Sequence, residues 1–488
     1  MRQAIDPQMK IGEVGISDVR IDLSSRDEIP QLLLGLQAIY CNRKIRDKVF
    51  GILMSIIPKS VGLDRGRKGM NLWTILVLGT LRLNCNWDYD KLREIANNHK
   101  TVRQMIGHDV WDDRAYALQT LKDNVALFTP EVLDQINRVV VGFGHRLIGE
   151  KAGRLLGSCD SSVVETNVHF PTDVGILWDA VRKMVFLAMQ IFGSLGLPAW
   201  RQGRHHVRKA KKLCRKAARL KRSSSKDPEK RKERERLIVR AHEEYLELAE
   251  SFVRRIWSEL PSVQTLDPKI LANVWRLENF LRHAERQIDQ IRRRVVDGES
   301  IPHHEKVFSV FEEHTEWIVK GKTGVPVELG LNVCFLKDQF GFILHHRVME
   351  GETDDKIAVP MVEEALERFP ALKVCTFDKG YHSPANQEKL AGLLEQVVLP
   401  RKGKLSAENR EIENSDEFRE GRRKHSAVES SIHALKNHGV DRCPDRGIHG
   451  FKRYVALAVV ARNIQILGAL VQKRELRKAR REELQKAA

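Results

Sequence analysis

The sequence predicts an α/β fold in which a mixed sheet with flanking helices is interrupted by a long helical insertion and preceded by an all-helical region. Three observations lead to this prediction. The stretch 155–164 is typical of a strand, and after residue 325 apolar residues alternate with a period of two, as in strands. Between these two parts the apolar spacing is helical and includes a sustained heptad repeat. The first 150 residues also follow helical spacing.

The composition fits a globular protein with a polyanionic partner. Hydrophobic residues make up 42% of the 488 residues, which excludes a wholly disordered chain. Lys and Arg number 83 against 65 Asp and Glu, so the formal net charge is +18. A soluble protein this basic favours nucleic acid as its partner. Charge that serves solubility alone is the alternative.

The sequence predicts a cytoplasmic protein with no membrane segment. The N-terminus lacks a basic stretch followed by an apolar one, so no signal peptide is expected. The longest apolar run, 455–471, is broken by Arg462, Asn463 and Gln465, which argues against a membrane span. The seven cysteines include no Cys-x-x-Cys pair, which fits a reducing compartment and argues against a zinc ribbon.

Residues 1–150 are predicted to form a helical N-terminal domain. One apolar stripe consists of Leu72, Ile75, Leu76, Leu78 and Leu81. Thr129 followed by Pro130 is typical of a helix start, with Thr129 as the N-cap and Pro130 at the first helical position. A helical domain of this kind suits DNA binding, and a purely structural role is an equal alternative from the pattern.

The strands of the sheet are predicted from alternation and from the turns between them. A first strand covers 155–164, and a hairpin is expected from two strands joined by a turn at 337–339. The elements expected after the hairpin are a helix at 357–369, a strand at 372–378, a helix capped by Ser383, a strand at 397–399 and a helix near 425–437. A strand, a long insertion, a hairpin and alternating helices and strands together give a mixed sheet.

The insertion is predicted to contain a long coiled-coil helix. Its heptad positions are Ile270, Val274, Leu277, Leu281, Ala284, Ile288, Ile291 and Val295. A similar stripe at 238–252 precedes it, so an antiparallel helical hairpin is expected, with an intermolecular coiled coil as the alternative. The predicted domains are a helical DNA-binding domain at 1–150, a sheet domain at 151–177 and 301–470, the basic insertion at 178–300, and a basic tail at 471–488.

The positive charge is concentrated in the insertion. Residues 201–240 hold 18 Lys and Arg against four acids, a net charge of +14. We expect the exposed cations of this stretch to bind DNA, among them Arg208, Lys209, Lys211 and Lys212.

Three acidic residues are predicted to converge at one edge of the sheet. Asp160 lies on the first strand, Asp378 ends the strand at 372–378, and Glu429 lies on the last predicted helix. Carboxyl ends of strands face the crevice where open α/β sheets bind ligands. Clustered carboxylates suit two Mg²⁺ or Mn²⁺ ions about 3.5–4 Å apart, which assist phosphoryl displacement. Three unrelated surface acids are the alternative.

The segments that carry these acids resemble the catalytic blocks of bacterial insertion-sequence transposases of the DDE type. The segments are CDSSVVETN at 159–167, FDKGYHS at 377–383 and RKHSAVESSIHALK at 423–436. A further block at 438–454 and the long gap between the first two acids are most similar to the ISNCY-type group. The resemblance implies a ribonuclease-H-like catalytic domain with Asp160, Asp378 and Glu429 as metal ligands.

The resemblance also suggests residues that contact DNA phosphates. Related transposases carry Tyr-x2-Arg-x3-Glu-x6-Lys on the last helix. Glu429 and Lys436 match its second half, whereas His425 stands at the Arg position and Arg422 at the Tyr position. Lys379 stands where many relatives have Arg after the second Asp.

The implied function is DNA transposition. The protein would bind the terminal inverted repeats of an element in double-stranded DNA, cleave there, and join the ends to target DNA. Pairing two ends implies a homodimer in the DNA complex. A non-catalytic DNA-binding relative and a metal-dependent nuclease without strand transfer are the alternatives.

Overall fold

The structure is a computed structural model that describes the chain apart from residues 1, 6–10, 58–68, 110, 320–325 and 488. Helices α1 to α16 are Glu28–Cys41, Arg43–Met54, Leu72–Asn84, Tyr89–Asn98, Lys100–Met105, Leu118–Val125, Pro130–Ile148, Asp173–Ser194, Gly203–Arg219, Pro228–Glu259, Pro268–Ile291, Asp354–Arg368, Pro384–Leu393, Ala407–Asn414, Asp416–Leu435 and Gly447–Ala487. Strands β1 to β7 are Leu155–Thr166, Glu316–Val319, Val327–Lys337, Ile343–Val348, Leu372–Phe377, Gln396–Val398 and Arg442–Cys443. The fold is therefore mixed α/β, as the sequence predicts.

The chain divides into two compact units. The first unit comprises Met1–Asn167 and Lys320–Ala488, and the second comprises Val168–Val319. The first unit contains the N-terminal helices, α12 to α16 and most of the strands. The second unit contains α8 to α11 and the short strand β2.

Strand β1 is central in the sheet of the first unit. It pairs antiparallel with β3 on one side and parallel with β5 on the other. β4 extends the sheet antiparallel to β3, which confirms the predicted hairpin, and β6 extends it parallel to β5. The short β7 pairs parallel with the end of β1. The parallel pairing places the carboxyl end of β5 beside the middle of β1.

Helix starts follow the capping residues that the sequence shows. The Thr129 side chain accepts a hydrogen bond from the backbone N–H of Val132, and Pro130 is the first residue of α7. Ser383 caps α13 in the same way through the N–H of Asn386. An unsatisfied N–H at each helix start is thereby paired, so short-range chemistry fixes these boundaries.

The N-terminal helices belong to the same compact unit as the sheet. Every residue of α3 is buried, and the Trp73 indole donates a hydrogen bond to the backbone oxygen of Met105 at 2.9 Å. Helices α1, α3 and α7 pack against α16. The apolar stripes of this region therefore contribute to a core that they share with the sheet.

Helix α16 forms the centre of that shared core. The stretch from Gly447 to Gln485 is long and apolar enough to cross a membrane by length and composition alone, but 72% of its apolar window is buried within the protein. Burial by α1, α3 and α7 accounts for its apolar character.

In the second unit, the predicted heptad stripe of α11 is buried, but its main partner differs from the expected one. Leu277, Leu281 and Ala284 are fully buried. Helix α11 contacts α10, its partner in the predicted hairpin, but it packs more extensively against α8, which the sequence did not predict. The reason is that α8 buries twelve of its 22 residues and offers a broad apolar surface, whereas α10 is rich in Glu, Lys and Arg.

Helices α1 and α16 meet through two glycines. A Cβ on Gly468 would overlap the carbonyl oxygen of Gln31, and a Cβ on Gly35 would overlap that of Ile464. Because both obstacles are backbone atoms, neither can move away without separating the helices.

We therefore expect Gly468→Ala to lower the free energy of unfolding by roughly 1–3 kcal/mol, as overpacking does in well-packed cores. The matched control is Gly51→Ala in α2, where a Cβ meets nothing within 4 Å. The control should be stabilising by about 0.5–1 kcal/mol because it removes a helical glycine. Urea unfolding measures both, and equal effects would contradict the close contact.

Candidate active site

Asp160, in the middle of β1, lies level with Asp378, which follows the end of β5. Cys159 pairs with Phe377 in the parallel register, so the residue that follows each of them comes at the same level. Asp378 follows the last residue of β5 and precedes a short 3₁₀ turn. The two carboxylates therefore stem from neighbouring strands at equivalent positions.

Glu429 is brought to this edge by α15. The helix packs against β1, β5 and β6. Val428, Ile432 and Leu435 form its buried side, with at most 8% of each exposed, while Glu429 is exposed. The apolar spacing of the helix thus sets which way the acid faces.

The electrostatics of Asp160 show that the acids lie within range of one another. Burial and the negative charges of Asp378, Asp354 and Glu429 raise the pKa of Asp160 to about 6. A hydrogen bond that the Ser161 backbone N–H donates to Asp160 Oδ1, 2.8 Å long, opposes this rise. The three acids predicted from the sequence therefore share one electrostatic environment.

Asp354 is a fourth acid of this cluster, which the sequence reasoning missed. It is the first residue of α12, and a Cβ on Gly380 would lie 3.2 Å from its Oδ2 atom. Its Oδ1 atom is buried and has no hydrogen-bond partner among the described residues. The only sequence signal was Thr353-Asp354-Asp355, which is ordinary for a helix start and gave no hint of the contact with the turn after β5.

By chemical type, these side chains suit a hard divalent cation. Among the described residues, however, no three His, Cys, Asp or Glu side chains lie close enough together to hold a metal ion. The donors are carboxylates, the ligands that Mg²⁺ and Mn²⁺ prefer. One of them carries an unpartnered buried oxygen, and burial together with the neighbouring negative charges raises the pKa of Asp160. A cation would offset both costs.

The residues predicted to contact DNA phosphates differ in exposure: some face solvent and one faces the protein interior. Lys379 and Arg422 are exposed. Lys436 follows the end of α15, with its Nζ atom 3.8 Å from Asp441 Oδ1. His425 instead faces inward, and its Nδ1 atom shares a 3.0 Å hydrogen bond with Thr376 Oγ1.

The second unit carries the basic surface that the sequence predicts. Arg208, Lys209, Lys211 and Lys212 are all exposed on α9. Six of the cations that follow one face of α9 line a groove of about 1050 Å³ between α9 and α10. The acid lining this groove is Glu244, which pairs with Lys216 at 2.5 Å and Arg240 at 3.5 Å.

The raised pKa of Asp160 predicts a specific pH dependence of stability. The ordinary pKa of an aspartate is 3.8, and that of Asp160 in the folded protein is about 6. Between these two pH values the unfolded chain has already released the Asp160 proton while the folded protein still holds it, so the stability of the folded state falls as the pH rises. Asp160→Asn should therefore be more stable than the wild type at pH 7.5, by roughly 1–3 kcal/mol, and equally stable below about pH 4.

The measurement is denaturant unfolding in the presence of a chelator, and adding Mg²⁺ should then stabilise the wild type but not Asp160→Asn. Glu388→Gln, which removes an exposed carboxylate on α13, serves as the control and should follow the wild-type curve. A wild type more stable than Asp160→Asn at pH 7.5 would refute the raised pKa of Asp160.

Comparison with known proteins agrees with this arrangement. Residues 288–464 match the family model described as the transposase DDE domain. The match contains Asp378 and Glu429, whereas Asp160 precedes it. No curated protein and no solved structure matches the chain. The segment 288–464, which contains Asp378 and Glu429, is therefore similar to a transposase DDE domain.

Proposed function

We propose that this protein is a DNA transposase of a bacterial insertion sequence that cleaves and joins DNA through Asp160, Asp378 and Glu429. The observation that supports it most is the placement of Asp160 level with Asp378 on neighbouring strands, with Glu429 on the helix that packs across them; burial and the charges of these acids raise the pKa of Asp160. Two of the three lie in the segment that matches the transposase DDE domain. An unrelated set of surface acids would not share one charged environment.

The sheet supports a ribonuclease-H-like catalytic domain with an insertion. β1 is followed in the sheet by an antiparallel hairpin and a parallel strand, and α15 packs across it. The second unit lies in sequence between β1 and β3, so the chain leaves the catalytic domain after the first acid and returns before the second.

The proposed chemistry is in-line attack on a phosphodiester. Two Mg²⁺ or Mn²⁺ ions, when bound, stabilise the attacking and leaving oxygens. Asp160, Asp378 and Glu429 would hold them, while Lys379, Arg422 and Lys436 contact phosphates beside the scissile one. Water is the nucleophile for cleavage, and the freed 3′-hydroxyl is the nucleophile for joining. No covalent bond between protein and DNA is needed.

DNA binding is assigned to the N-terminal helices for the terminal inverted repeats and to the cations of α9 for the phosphate backbone. The groove between α9 and α10 is lined by cations that project from two helices, which suits a continuous row of phosphates. Synapsis of two ends calls for a homodimer on DNA, acting at the bacterial nucleoid in the cytoplasm.

The central test replaces each acid with its neutral isostere. Asp160→Asn, Asp378→Asn and Glu429→Gln should each lower Mg²⁺-dependent strand cleavage by about 1,000-fold or more, because residues that act as one catalytic unit fail together. Binding to end-containing DNA should persist. Glu420→Gln on the same helix, an exposed acid paired with Lys424, is the control and should cleave normally.

Cleavage that survives all three changes would exclude the triad. Strand transfer from pre-cut ends separates a transposase from a nuclease, since a nuclease would cleave and yet fail to join.

A second test addresses the basic surface of α9. The variant replaces four exposed cations with Gln: Arg208, Lys209, Lys211 and Lys212. Affinity for DNA of any sequence should fall, and the slope of log K against log salt should become shallower by about 0.9 for each phosphate that the variant no longer neutralises. Mn²⁺ binding should not change.

The matched control removes the same charge from the exposed end of α16: Lys473, Arg474, Arg477 and Lys478, each replaced by Gln. An equal fall in affinity in this control would assign the effect to net charge and not to the α9 surface.

A further inference from the structure

A small buried polar cluster joins the three elements that carry the acids. Thr376 Oγ1 on β5 lies 3.0 Å from Ser158 Oγ on β1 and 3.0 Å from His425 Nδ1 on α15. Thr376 Oγ1 is also 3.3 Å from the backbone oxygen of Gly157. We call Ser158, Thr376 and His425 the hydroxyl–histidine node.

Each member of the node precedes one of the three acids along the chain and shares a face with it. Ser158 precedes Asp160 by two residues and Thr376 precedes Asp378 by two, so each shares a strand face with its acid. His425 precedes Glu429 by four residues and therefore lies on the same face of α15. The rise per residue puts the node about 6–7 Å behind the carboxylates on all three elements.

The buried hydroxyls of the node destabilise the folded state unless β1, β5 and α15 are aligned so that their hydrogen bonds form. Ser158 is 8% exposed and Thr376 is 4% exposed. A buried hydroxyl without a hydrogen bond destabilises the folded state, whereas the bond, once formed, adds little beyond what water offers. Small displacements of β5 or α15 would break these bonds, so the node penalises any other register.

A second bond holds α15 on the other side of Glu429. Lys337 Nζ on β3 donates to Ser431 Oγ at 2.9 Å. The helix is thus attached to the sheet by polar bonds both before and after the acid, in addition to its apolar side. This leaves Glu429 little freedom to shift along or around the helix axis.

We propose that Ser158, Thr376 and His425 are positioning residues that set the spacing of the three carboxylates and thereby the affinity of the site for divalent cations. The proposal rests on the proposed function of those acids. It gives His425 a structural partner within the protein in place of the DNA phosphate that its sequence position suggests.

The two roles of His425 are separable by replacing one ring nitrogen at a time. Asn retains a hydrogen-bonding atom near the Nδ1 position, and Gln retains one near the Nε2 position. A positioning role through Thr376 Oγ1 requires the Nδ1 side. His425→Asn should therefore keep more function than His425→Gln, and a phosphate contact through Nε2 would give the reverse order.

The experiment uses the full-length protein with three readouts: single-turnover cleavage at saturating DNA, DNA affinity, and Mn²⁺ affinity from the electron paramagnetic resonance of free Mn²⁺. Thr376→Val keeps the shape and removes the hydroxyl. It should lower the cleavage rate and Mn²⁺ affinity by about 10–100-fold, as removal of groups that orient metal ligands does, and leave DNA affinity within twofold. Thr376→Ser restores the hydroxyl and should recover most of both quantities.

The control for burial is Thr80→Val in α3, where an equally buried threonine hydroxyl bonds to the backbone oxygen of Leu76. It should change neither the cleavage rate nor Mn²⁺ affinity. Thr376→Val combined with His425→Ala should be little worse than either change alone, because both remove the same interaction. If Thr376→Val does not fold, Ser158→Ala tests the node by removing its other hydroxyl.

Wild-type rates and Mn²⁺ affinity in both Thr376→Val and Ser158→Ala would overturn the proposal. Weakened DNA binding in His425→Asn with normal binding in His425→Gln would overturn it in favour of a phosphate contact. A wild-type protein that neither cleaves DNA nor binds Mn²⁺ would instead refute the proposed function of the acids.

Discussion

The parallel pairing of β1 with β5 is the constraint on which the site depends. It places Asp160 level with Asp378, and the buried Cys159 and Phe377 hold that register from below. The hydrophobic energy of the surrounding core therefore holds Asp160 partly buried and near other acids, and both effects, burial first, raise its pKa. A site strained in this way attracts a cation more strongly than relaxed carboxylates would.

Local patterns made much of this architecture predictable. Strand-like composition located β1 and β5, and alternation located the β3–β4 hairpin. The caps Thr129 and Ser383 marked their helices because each cap is a short-range interaction. Long-range pairing was harder. The preference of α11 for α8 depends on which apolar surface is larger, and the approach of Asp354 to Gly380 depends on how α12 meets the turn after β5. Neither contact can be predicted from the residue pattern of a single helix or strand.

The charges of the protein are arranged in two opposite ways. The cations of α9 lie in the second unit, while the acids gather at the sheet of the first. A polyanion is attracted by the former and repelled by the latter until the carboxylates are neutralised. If the protein acts as proposed, monovalent salt would weaken DNA binding and divalent cations would enable strand cleavage. The hydroxyl–histidine node would affect only the cleavage.

The close packing of α1 against α16 has a consequence for the order of events during synthesis. The Gln31 amide donates to Gln472 across 441 positions of the chain, and the last long helix fills the core under α1, α3 and α7. The earliest helices therefore leave the ribosome with their apolar faces uncovered and wait for the final segment. Contacts between residues so far apart in sequence slow folding, and apolar surface stays exposed until they form. A chain truncated before α16 would leave the apolar faces of α1, α3 and α7 without the helix against which they pack.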